Sequence, residues 1–113
     1  MPRKKQTEEG SIRLSPLDED ILTVLMGGRE LYGLEILDEL NLDERPGGEL
    51  GFGSLYPALN RLDKKGLIDW RWGNEHEETG GARRKYYKIN GLGARVLREV
   101  REYRNALAVK AQA

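Results

Sequence analysis

Apolar residues fall at helical spacing through the first half of this chain, alternate with polar ones further on, and return to a helical stripe near the C-terminal end. Leu17, Ile21, Leu22, Val24 and Leu25 give a wide apolar face that ends at Gly27-Gly28. Ser15 as cap, Pro16 at the first helical position and acids in the first turn predict a helix of about twelve residues there. A second, short and acidic helix is predicted from Leu31 or Tyr32 to Leu40, with Ile36, Leu37 and Leu40 apolar. The stretch from Asn41 to Gly53 has no usable period and reads as a loop around Pro46 and its glycines. Leu55, Leu59 and Leu62 then mark a third helix, with Ser54 as its N-cap, Pro57 tolerated in the first turn and Gly66 as its stop. After Gly66 the period becomes two. Ile68, Trp70 and Trp72 alternate with Asp69 and Arg71, and Tyr87 and Ile89 alternate with Tyr86 and Lys88. These are two strands of a hairpin joined by residues 74–82, a connection long enough to be mobile at its tip. On their strand the tryptophans are expected to plug the core between hairpin and helices.

From Leu92 to Lys110 the chain predicts its longest helix, whose Leu92, Val96, Val100, Tyr103 and Leu107 recur every three to four residues, close to a coiled-coil seam. Such a seam could fold back on the first helix, but its length favours a second subunit, so these five are the predicted dimer-interface residues. A chain of 113 residues buries only roughly two-thirds of its unfolded surface, which also favours a homodimer.

Composition narrows the chemistry. There are 19 basic and 19 acidic residues, so net charge alone announces no anionic partner, yet the signs are segregated. Arg3, Lys4 and Lys5 make a basic arm over residues 1–12, Arg83, Arg84, Lys85 and Lys88 a run without an acid, and the second helix and its loop are acidic. No cysteine is present, which fits a reducing compartment, and no apolar run reaches the eighteen or so residues of a membrane span; a cytoplasmic protein is expected. His76 is the only histidine, sits among Glu75, Glu77 and Glu78, and has no nucleophile or metal-ligand spacing beside it. No GxxxxGK[ST] loop appears. An enzyme, a bound metal and a cofactor are therefore not expected.

Three helices followed by a β-hairpin is the order of a winged helix-turn-helix, an α+β, mainly α fold. Residues 13–90 would form it, and 91–113 the C-terminal dimerisation helix. YGLEIL at Tyr32–Leu37, GSLYPALNRLDKKGLI at Gly53–Ile68 and GGARRKYYKIN at Gly80–Asn90 resemble the successive signatures of the PadR family of bacterial transcriptional regulators. The resemblance covers about residues 14–100. It implies a DNA-binding repressor, a homodimer built through the C-terminal helix, and inverted-repeat operators. Ending after one long helix, the chain is similar to the short subfamily. It departs from the family pattern where Ile89-Asn90-Gly91 follows the paired tyrosines, although Asn90 can still cap.

On double-stranded DNA the predicted roles divide by chemistry. Ser54, Tyr56, Asn60 and Arg61, with Pro57 on the same exposed arc, are the groove candidates, since Asn pairs with adenine, Arg with guanine, and hydroxyls with base edges or phosphates. Tyr32 and Gly33 would meet the backbone, and Arg83, Arg84 and Lys85 would clamp phosphates from the wing. A small-molecule effector site between subunits is inherited from the resemblance, but the tryptophan that drug-sensing short members carry on the last helix is absent, with Tyr103 the aromatic there. A winged-helix module that binds protein rather than DNA is the competing reading, favoured by the acidic second helix and zero net charge.

Overall fold

The computed structural model describes residues 12–74 and 83–112. The basic arm other than Ile12, and the hairpin connection with Gly80, Gly81 and the His76 cluster, lie outside the described residues. In chain order the elements are α1 (Pro16–Val24), β1 (Leu31–Tyr32), α2 (Gly33–Leu40), α3 (Phe52–Lys64), β2 (Ile68–Trp72), β3 (Lys85–Ile89) and α4 (Gly91–Gln112). This is the winged helix-turn-helix order with a long last helix.

Local signals set most boundaries. Ser15 Oγ accepts from the Asp18 N–H at 3.1 Å while Asp18 Oδ2 accepts from the Ser15 N–H at 3.1 Å, a reciprocal capping box ahead of Pro16. The helix stops at Val24, short of the predicted Gly27-Gly28, because the following residues leave helical hydrogen bonding in a turn. At the other end of the motif Gly66 adopts φ +77°, its N–H reaching the Asp63 carbonyl and the Leu67 N–H the Leu62 carbonyl at 3.0 Å. That pair of bonds is a Schellman termination, available at no steric cost because residue 66 has no β-carbon. Asn90 caps α4, its Oδ1 accepting from the Gly93 N–H at 2.9 Å. Between α2 and α3 the Asn41 side chain closes the loop, accepting from the Leu50 N–H at 2.8 Å and donating to the Leu50 carbonyl at 3.0 Å.

Two boundaries differ from prediction. Leu31-Tyr32 is not the first turn of the second helix but a strand, pairing antiparallel with β3 as Leu31↔Tyr87 and Tyr32↔Tyr86 in a sheet of order β1-β3-β2. Two residues are too few to display a period. Ser54 is not an N-cap: Gly51 holds that position, its carbonyl accepting from both Ser54 and Leu55. The earlier start lets Phe52 stack on Tyr56 one turn later, an i,i+4 aromatic contact at 5.4 Å between ring centroids. Pro57 consequently lies inside α3, and the Gly53 carbonyl that it cannot serve is in an exposed turn where water replaces the donor.

The core gathers Ile21, Leu22 and Leu25 of α1, Ile36, Leu37 and Leu40 of α2, and Leu55, Leu59 and Leu62 of α3, with Leu67, Ile68, Tyr87, Val96 and Leu97 closing it. Trp70 and Trp72 are not part of it. Burial ends after Ile68, because β2 runs on past the helices, and both tryptophans are exposed in a T-shaped pair at 5.5 Å. The predicted seam on α4 also divides. Val96 is only 3% exposed, inside the chain's own core, and Leu92 and Val100 are partly covered. The first half of α4 folds back on α1, with Arg101 Nη2 donating to Thr23 Oγ1 and Arg104 Nη2 to Glu19 Oε2. The reason is the apolar face of α1, which needs a cover. Tyr103, 64% exposed, and Leu107 lie on the half that projects.

Candidate nucleic-acid interface

A cleft of about 410 Å³ opens between the outer face of α3, the start of α2 and the base of the hairpin. Tyr56 and Asn60 line it from α3, Tyr32 and Gly33 from the β1–α2 junction, and Arg83, Arg84 and Lys85 from the wing. These residues, singled out along three separate stretches of sequence, meet in one place. Of the remaining candidates, Ser54, Pro57 and Arg61 do not line the cleft.

Gly33 explains how α2 and α3 come so close. The Tyr56 hydroxyl fills the position that a β-carbon on residue 33 would need, and its ring carbon Cζ would be 2.9 Å from that carbon. Tyr56 is thus wedged between the start of α2 and Phe52, yet remains 43% exposed toward the cleft. Tyr87 forms the floor. Burial pushes its phenol above the ordinary value of 10.0, with Tyr56 and Asp63 adding to the shift, so it is neutral across the physiological range.

The wing cations lie on aromatic faces. The Arg84 guanidinium is 4.5 Å from the Tyr32 ring centroid, that of Arg83 is 4.9 Å from Trp72, and Lys85 Nζ is 4.1 Å from Trp70. Each contact is worth of the order of 0.5–1 kcal/mol at an exposed site and holds a long side chain near one orientation. The exposed tryptophans therefore serve as rails for the cations instead of core. Trp72 belongs to the cleft although its sequence pattern pointed inward; its place opposite Lys85 in the β2–β3 register is the signal that identifies it. The wing is braced from the other side by Arg71, whose Nη2 and Nε donate to Glu30 at 2.9 and 3.1 Å while its guanidinium covers Tyr86.

Arg61 does something other than predicted. Its Nη2 donates at 3.0 Å to Oδ1 of Asp18, a carboxylate only 1% exposed, and Lys65 Nζ lies 3.7 Å from the other oxygen while bonding the Arg13 carbonyl at 2.6 Å. A buried carboxylate without such partners is strongly unfavourable, so the pair ties α1 to the C-terminal half of α3. A guanine contact by Arg61 would have to break this bond.

The surface assembled here, cations and aromatics around the outer face of a third helix, suits a long polyanion. A model of the transcriptional regulator PadR-like family matches residues 21–99. An uncharacterised protein of Lysinibacillus sphaericus is 32% identical over 84 residues, 74% of this chain and 73% of that protein. A PadR-like transcription factor from Bacteroides fragilis superposes with a TM-score of 0.73 at 27% identity, covering 96% of this chain and 94% of its own. A PadR family regulator from Eggerthella lenta gives 0.69 at 30% identity, over 85% and 78% of the two chains. Bacillus subtilis PadR, solved in complex with operator DNA, shares the fold with a TM-score of 0.65 at 22% identity, over 75% of this chain and 46% of that one. With the family model covering most of the described fold and the signature residues gathered around one cleft, the chain belongs to the PadR-like family of transcriptional regulators.

Proposed function

We propose that this chain is a sequence-specific DNA-binding repressor that acts as a homodimer on an inverted-repeat operator, with residues 13–90 binding DNA and residues 91–113 dimerising. The observation that carries the reading is the cleft: an α3 side chain able to pair with adenine, Asn60, is flanked by three cations prepositioned on aromatic rings. The outer face of α3 enters the major groove, Tyr32 and Gly33 approach the backbone, and Arg83, Arg84 and Lys85 neutralise flanking phosphates. Fixing the cations in advance lowers the ordering cost on binding. The operator complex of the B. subtilis protein supports this docking mode for a shared fold.

The second subunit lies along α4. Tyr103, Leu107 and Val109 are large apolar residues exposed on its projecting half, and a groove of about 580 Å³ runs between Met26 and Leu97, Arg101 and Asn105. An effector that releases the operator would enter there, where two subunits meet. Selection of bound sequences from a random duplex pool at two salt concentrations tests the reading. Recovery of an inverted repeat with half-site centres about one helical turn, or a multiple of it, apart is the expected result. Recovery of nothing above background by folded, dimeric protein overturns it in favour of a protein-binding module.

A further inference from the structure

The cleft leaves one exposed feature of α3 without a task. Phe52, the first residue of the helix, is 42% exposed, and its ring lies nearly parallel to that of Tyr56, with 18° between planes. Gly51 and Gly53 flank it, and a β-carbon at either would meet nothing within 4 Å, so the phenyl group projects from a bare stretch of backbone. Tyr56, held from behind by Gly33, is its support. Phe52, Tyr56 and Asn60 follow one another at four-residue intervals and form one row on α3.

We infer that Phe52 is a specificity-determining residue that seats against the 5-methyl group of a thymine in the major groove. The inference rests on the DNA-binding reading above. In a helix-turn-helix the N-terminal residues of the recognition helix reach the base edges. A phenyl ring has neither donor nor acceptor, and the thymine methyl is the only apolar mark that a base edge presents there. Asn60, two turns on, recognises adenine through its amide, so the two ends of the row both select A·T pairs. The half-site therefore carries a thymine under Phe52, and the rigid Tyr56 stack keeps the ring from folding away when no methyl is present.

The test uses the full-length protein and the operator that it selects. Each thymine of a half-site is replaced in turn by deoxyuridine, which keeps the base pair and removes only the methyl. Wild type should lose about fourfold in affinity per half-site at one position, the worth of one buried methyl group. Phe52→Ala should bind more weakly to the thymine operator and show no further loss at that position, and Phe52→Leu should keep part of the discrimination. Thermal unfolding of both variants matching wild type excludes a folding defect. A wild-type affinity indifferent to every deoxyuridine, a deoxyuridine effect undiminished in Phe52→Ala, or a selected half-site without thymine overturns the assignment and leaves DNA binding standing. Failure to select any duplex removes both.

Discussion

The two ends of α3 carry different chemistry. The C-terminal half holds its cations inward: Arg61 bonds the buried Asp18, and Lys65 spans from Asp18 to the Arg13 carbonyl. The N-terminal half has no charge and presents glycines and the Phe52–Tyr56 stack to solvent. A reading by charge alone assigns the cationic end to DNA. The geometry reverses this: the basic end anchors the helix to α1, the aromatic end faces outward, and the cations for phosphate come from the wing, a separate part of the chain. Affinity and discrimination are in this way assigned to different elements.

That division makes distinct predictions for the two ends. Arg61→Ala leaves the Asp18 carboxylate buried with only the Ser15 N–H and a 3.7 Å contact to Lys65, and should lower unfolding free energy by about 1–3 kcal/mol. Paired with Asp18→Asn in a double-mutant cycle by urea unfolding, it should show coupling well above the spread of independent sites, about 0.5 kcal/mol. At temperatures where the variant is folded its operator affinity should stay within about twofold of wild type. A tenfold loss of affinity with unchanged stability would return Arg61 to the groove.

Gly33→Ala works from the opposite end. The new methyl group occupies the place of the Tyr56 hydroxyl, so Tyr56 must swing and Phe52 loses its support. Operator affinity measured by fluorescence anisotropy should drop by about tenfold, roughly 1.4 kcal/mol. An undisturbed affinity would show that the stack is dispensable.

The smallest effect concerns Tyr87, beneath the middle of α3. Its phenol is held neutral by burial, so above pH 10 the unfolded chain releases this proton while the folded chain keeps it. The unfolded state then binds fewer protons, and stability falls as pH rises from the ordinary tyrosine value toward that of the folded protein. Tyr87→Phe should reduce the loss of stability between about pH 9 and pH 11, followed by urea unfolding. An identical loss would mean that the phenol is not kept from ionising by the fold.

How much of this was legible along the chain depended on distance. Ser15-Pro16, Gly66 and Asn90 act within a few residues of themselves, and each boundary that they announced stands close to where it was read. The cleft was legible in outline because YGLEIL, GSLYPALNRL and the cationic run are each compact signatures. What escaped was non-local. Leu31-Tyr32 becomes a strand only by pairing with Tyr86 and Tyr87, and Arg61 is claimed by a carboxylate 43 positions earlier. Trp70 and Trp72 follow the alternation of a core strand, but nothing in a period of two says how far a hairpin runs past the helices. Phe52 was hidden by a capping rule: Ser54 is the better N-cap by type, and only the aromatic pairing across one turn brings the helix start back to Gly51.

The measurement that bears most directly on the division of labour is the salt dependence of operator affinity for wild type and for the Arg83→Ala/Arg84→Ala protein. If the wing supplies the phosphate contacts, the slope of log affinity against log salt becomes shallower by about 1.8, two contacts at about 0.9 each, while the selected sequence stays the same. Parallel lines with the wild-type slope would contradict the account.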